Sequence, residues 1–117
     1  MNLSRILLFV LAAFGALFVL RMILRMRGLP ADQVAELKAR GAQLLDVRTG
    51  AEFASGHAAG SRNIPLDRLD SRLKELEPTR PVLVCCATGS RSAFAKTVLE
   101  RAGFKEVYNA GPWTALR

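Results

Sequence analysis

Val82-Leu83-Val84-Cys85-Cys86-Ala87-Thr88-Gly89-Ser90-Arg91-Ser92 constrains this chain more than any other stretch. A Val-rich apolar run of strand type ends on a cysteine. Small residues follow, and an arginine opens a segment whose apolar residues (Phe94, Ala95, Val98, Leu99, Ala102) recur at helical spacing. Strand, tight loop and helix in that order place a sulfur at the carboxyl end of a strand. Loop amides, a helix start and a guanidinium converge there, and each lowers a cysteine pKa. Cys86 is thus the candidate nucleophile and Ala87, Thr88, Gly89, Ser90 and Arg91 its loop. Cys85, the preceding strand residue, points to the opposite sheet face and is expected in the core.

Similar alternation runs through the rest of the chain from residue 28 onward. Pro30 suits a first helical position, and Val34 and Leu37 lead to a helix stop at Gly41. Gln43 to Val47 is a buried strand, and Thr49 can cap a short helix through Glu52 and Phe53 that ends at Gly56. Ile64-Pro65 closes a brief strand. Leu66, Leu69, Leu73 and Leu76 predict one or two amphipathic helices over 66–77. Lys105 to Asn109 is a last strand, which Gly111-Pro112 is expected to break. Strands alternating with helices predict an α/β domain over 28–117, an open parallel sheet with helices on both faces. Ligands of such sheets bind at the carboxyl ends of strands, where Cys86 lies.

Ahead of this domain, Ile6 to Leu20 is an unbroken apolar run, with Met22, Ile23 and Leu24 beyond Arg21. A helix over 6–24 would be roughly 28 Å long, close to the ~30 Å hydrocarbon core of a bilayer. Residues 1–27 are expected to form a single-pass membrane anchor. Arg21, Arg25 and Arg27 outweigh Arg5 on the other flank, so the positive-inside rule keeps residues 28–117 in the cytoplasm, against an inner or plasma membrane. The alternatives are a cleaved or periplasm-facing form and a buried core helix.

The four flanking arginines also account for much of the formal charge of +7. Without them 13 basic residues face 10 acidic ones, and no basic stripe interleaves with aromatics, which argues against nucleic acid as a partner. Two adjacent cysteines make no disulfide framework, and with one histidine they provide no metal-ligand spacing. No metal and no cofactor are expected.

Two blocks resemble the rhodanese-like sulfurtransferase family. Leu45-Asp46-Val47-Arg48, Glu52-Phe53, Gly56-His57, Gly60 and Asn63-Ile64-Pro65 follow one family pattern. Val82 to Ser92, with Gly103-Phe104, Val107 and Asn109-Ala110-Gly111, follows the other and is similar to the small single-domain rhodaneses of the bacterial phage-shock type. The resemblance implies a rhodanese fold after the membrane helix. It also implies transfer of a sulfane sulfur from a donor such as thiosulfate, through a Cys86 persulfide, to a thiol- or cyanide-type acceptor. Ala87 stands where the family often has Arg, removing a positive charge from the loop. Pro112 replaces the second glycine of the family's closing pair. The oligomeric state is left open.

The remaining site candidates are read in the same frame. Thr88 and Ser90 can donate hydroxyl hydrogen bonds to the sulfur, and Ser92 can cap the following helix. Arg91 either hydrogen-bonds loop carbonyls or holds a donor's oxygens. Asp46 is expected to tie down neighbouring amides, or Arg48 to pair with an acid such as Glu52. His57 is expected to hold its loop and Trp113 to shield the core. Cysteine-loop phosphatases and arsenate reductases are one rival class. The phosphatase loop has five residues between Cys and Arg, whereas here there are four, a tighter cradle suited to sulfur. A non-catalytic, membrane-tethered binding module of the same fold is the other.

Overall fold

The computed structural model describes residues 2–26 and 28–117. Met1 and Arg27, and with them the outer ends of the expected anchor segment, lie outside the described residues. The apolar run forms helix α1 (Leu3–Met26). It is long and apolar enough to cross a membrane, and no part of its Leu3–Leu24 stretch is buried by the rest of the chain. That finding removes the buried core helix, whose apolar side chains would be covered.

The other elements follow in the order α2 (Ala31–Ala39), β1 (Gln43–Asp46), α3 (Gly50–Ser55), β2 (Arg62–Asn63), β3 (Val82–Cys86), α4 (Ser90–Arg101) and β4 (Val107–Pro112). Short 3-10 turns occupy Leu66–Ser71, Leu73–Glu75 and Trp113–Leu116. The four strands pair in parallel in the order β2-β1-β3-β4. Five consecutive apolar residues make β3 a central strand, buried throughout and hydrogen-bonded on both sides. Alternate side chains feed two cores. Leu45, Val84, Cys86 and Val107 meet α4 (Ala95, Leu99) and the 3-10 turn at Leu69 on one face. Leu83, Cys85 and Ala110 meet α2 (Val34, Leu37) and Leu116 on the other. Cys85 and Cys86 therefore lie on opposite sides of the sheet, as a period of two requires.

Local signals read from the sequence account for most boundaries. Gly41 adopts φ +83 after α2, and its amide bonds to the Lys38 carbonyl at 3.0 Å. Pro30 precedes the first helical residue of α2 by one position. The 66–77 segment winds as 3-10 turns, with Leu69 and Leu76 buried.

The strand expected to break at Gly111-Pro112 instead runs through both residues to the carboxyl end of β3, with Cys85 opposite Gly111 and Cys86 opposite Pro112. The register slips by one residue at Ala110, a bulge that re-aims the strand. Proline is tolerated because β4 is an edge strand whose outer side needs no donor. Gly28, between α1 and α2, packs directly on this bulge. A Cβ there would clash with the Ala110 carbonyl oxygen.

Candidate active site

Cys86 closes β3, and the chain turns at Gly89 in the left-handed region (φ +110, ψ −9) before α4 begins at Ser90. A side chain at Gly89 would be strained there, so glycine permits the turn. The turn aims the Gly89 amide at the cysteine sulfur, N to Sγ 2.9 Å. On the other side the Ser92 hydroxyl lies 3.4 Å from Sγ. The sulfur sits at the floor of a cradle, fully buried, with Ala87, Thr88 and Ser90 exposed at its rim.

Burial alone pushes a thiol pKa up. At Cys86 that effect is outweighed by the Ser92 hydroxyl and by the amides of Ser92, Gly89 and Thr88, so the thiol titrates below its ordinary value. The start of α4 adds its partial positive charge to the same side. Cys85 behaves oppositely. Its burial and the nearby Asp46 carboxylate push its thiol up to about 12, so it stays protonated.

The loop is braced from β4. Asn109 Nδ2 donates to the Gly89 carbonyl at 3.0 Å, while its Oδ1 accepts from the Gly111 amide at 2.9 Å and lies 2.6 Å from Ser92 Oγ. Ser92 Oγ is also 3.0 Å from the Gly89 carbonyl. Asn109 thus ties the β4 bulge to the turn that carries the sulfur's amide donor. In the sequence it stood only as part of a closing motif. An Asn two residues before a glycine is the signal for this side-chain turn.

Several candidate residues take places other than those expected. Ser92 does not cap α4. It is the third residue of the helix, buried beneath the sulfur, and Gly89 occupies the cap position. Thr88 and Ser90 approach each other (Oγ1 to Oγ 3.3 Å), and neither hydroxyl is bonded to Sγ. Arg91 holds neither a loop carbonyl nor an open position. It makes a two-pronged ion pair with Glu52, Nη1 to Oε1 2.7 Å and Nη2 to Oε2 2.9 Å. Glu52 is also the reciprocal partner of Thr49 in a capping box at the start of α3. Arg91, and then the Thr49 amide, hold the Glu52 carboxyl at about 2.

With Glu52 taken by Arg91, Arg48 pairs with Asp46 (2.8 Å), both nearly inaccessible. Asp46 also accepts from the Arg48 amide at 3.0 Å. The guanidinium donates to the Gly56 carbonyl at 2.7 Å and stacks on Trp113, 4.8 Å from the ring centroid. His57 stacks on Phe53, with Nδ1 2.9 Å from the Phe53 carbonyl oxygen. Among the described residues, none of Asp46, Arg48 and His57 hydrogen-bonds the Cys86 loop. Nor do three His, Cys, Asp or Glu side chains gather to hold a metal.

The rhodanese-like domain family matches residues 30–111, which include the whole sheet except Pro112 and the whole cysteine loop. The chain belongs to that family. Its fold is the rhodanese fold, with an apolar helix ahead of it. The uncharacterized protein YqhL of Bacillus subtilis is 37% identical over 108 residues, 91% of this chain and 86% of that one. Thiosulfate sulfurtransferase GlpE of Ectopseudomonas mendocina is 35% identical over 78 residues, 67% of this chain and 72% of that one. The solved structure of human single-domain sulfurtransferase TSTD1 superposes with a TM-score of 0.61 at 29% identity, over 72% of this chain and 88% of that one.

Proposed function

We propose that this rhodanese-like chain is a sulfurtransferase working through a Cys86 persulfide. The Cys86 thiolate attacks the outer sulfur of a donor such as thiosulfate. The donor's S–S bond breaks with its electron pair leaving on sulfite, and a new S–S bond forms on Cys86. An acceptor nucleophile, a thiol in the cell or cyanide in an assay, then takes the terminal sulfur and restores the thiolate. The observation that carries this reading is the Gly89 amide 2.9 Å from Sγ, backed by the Ser92 hydroxyl. These donors favour the ionised, nucleophilic form of the sulfur. The same groups suit the terminal sulfur of a persulfide. The similarity to GlpE, a thiosulfate sulfurtransferase, and to TSTD1, a single-domain sulfurtransferase, supports the reading.

Residues 1–27 serve as the anchor and 28–117 as the catalytic domain, held at the cytoplasmic face of the membrane. An exposed apolar helix with a heavier arginine flank at its carboxyl end supports this placement. The decisive experiment is intact mass after incubation with thiosulfate, and in parallel with an organic thiosulfonate. One added sulfur, about 32 Da, retained by Cys85→Ser and lost from Cys86→Ser, is the expected result. An unmodified chain with both donors overturns the reading.

A further inference from the structure

The only charged residue in the loop from Cys86 to Arg91 is Arg91 itself. Its two terminal nitrogens face the two oxygens of Glu52 at 2.7 and 2.9 Å, the geometry with which a guanidinium would otherwise grip an anionic ligand. Glu52 is itself fixed, because its capping-box bonds with Thr49 hold the same carboxylate from the other side. A dianion that recruited Arg91 would have to displace a carboxylate that stays ionised at the mouth of the site and repels it. The pair is nevertheless within reach of ligands, since the Arg91 and Glu52 side chains are 34% and 36% exposed. The rest of the rim is uncharged: Ala87, Thr88 and Ser90 are exposed. Phe94 follows Arg91 by one helical turn on α4 and is 70% exposed, the one large apolar side chain so exposed outside α1 among the described residues.

We propose that Glu52 is a specificity-determining residue that withholds Arg91 from the donor, so that the site takes monoanionic or neutral organic sulfane donors, alkyl persulfides and thiosulfonates, in preference to the thiosulfate dianion. The proposal rests on sulfur transfer at Cys86 and narrows its donor class. With a thiosulfonate, the Cys86 thiolate takes the outer sulfur and the S–S bond breaks with its electron pair on the departing sulfinate. With an alkyl persulfide the departing group is the thiolate RS⁻, and the proton of RSSH stays on the new persulfide or passes to solvent. The donor's carbon substituent, absent from thiosulfate, meets the uncharged rim at Ala87.

The test compares kcat/KM for thiosulfate and methanethiosulfonate, which differ by a methyl group in place of one charged oxygen, with cyanide as acceptor. Glu52→Gln keeps a side chain that can complete the capping box and removes the charge. The expected result is a rise of about tenfold in the thiosulfate-to-methanethiosulfonate ratio, the worth of one charge-assisted contact. Glu52→Ala, which gives up half the capping box, should move the ratio in the same direction and guards against a folding defect peculiar to one variant. The double variant Glu52→Gln with Arg91→Gln should return the ratio toward its starting value, because the released guanidinium is gone. Cys86 persulfide formation with a ratio unmoved by either Glu52 variant overturns the proposal and leaves sulfur transfer standing. Absence of the persulfide with both donors overturns sulfur transfer and the proposal together.

Discussion

Two neighbouring cysteines illustrate how far one residue of register can separate chemistry. Cys86 accepts from the Gly89 amide of its loop, and Cys85 lies against the second core beside a carboxylate. Cys86→Ser should abolish thiosulfate:cyanide turnover, while Cys85→Ser retains most of it. A dead Cys85→Ser variant would mean that the loop presents the other sulfur. Burial raises the Cys86 pKa, and the Ser92 hydroxyl opposes that rise together with the loop amides. Ser92→Ala should therefore raise the pH at which Cys86 ionises and slow persulfide formation at neutral pH by about tenfold, a typical worth for a hydrogen bond to a charged group. The sign is specific. The rate rises with pH as the thiol ionises, so the variant's midpoint moves to higher pH and much of the lost rate returns in alkaline buffer. A loss independent of pH would assign Ser92 to the architecture of the loop alone.

At the scale of elements, two ion pairs divide the region after β1. Arg91 to Glu52 links the cysteine loop to α3, and Arg48 to Asp46 seals the end of β1 beneath Trp113. The first is partly exposed and modest in its effect on stability. The second is buried, and removing one partner leaves an uncompensated charge in the core. Arg48→Met should destabilise the fold by about 3 kcal/mol, read as a lower urea midpoint at unchanged slope. A shift below about 1 kcal/mol would show that water or a neighbour satisfies Asp46 once Arg48 is gone. Thr49, Glu52 and Gly56 mark the limits of α3 where the sequence placed them, because capping acts within one turn. The continuation of β4 through Pro112 was not legible in this way. It depends on β4 being an edge strand, a property of sheet order and not of the residues near the proline.

At the scale of the whole chain, an exposed apolar helix is joined to the sheet domain through Gly28, whose backbone lies against the same β4 bulge that Asn109 ties to the loop. The full chain should sediment with membranes, and a reporter fused after Arg117 should be active on the cytoplasmic side. Activity of a periplasmic reporter instead would reverse the orientation. Residues 28–117 alone should remain folded and soluble, since both cores described above are built from residues after Gly28.

What the sequence determined by itself was everything set by near neighbours along the chain. Short apolar runs bounded by turn residues placed three of the four strands, and apolar residues at helical spacing placed the face of α4. Thr49 and Gly41 marked helix ends, and the run from Val82 to Ser92 located the sulfur at a strand terminus. Only the tertiary structure decided which partner each charged or polar side chain takes. Glu52 stands four residues from Arg48 and 39 from Arg91, yet it pairs with the latter, because folding brings α3 beside the cysteine loop while Asp46 already occupies Arg48. Ser92 reads as a cap in one dimension and becomes the floor of the sulfur's cradle once α4 begins two residues earlier. Ion-pair and hydrogen-bond choice follows distance through space, and sequence separation carries little information about that distance.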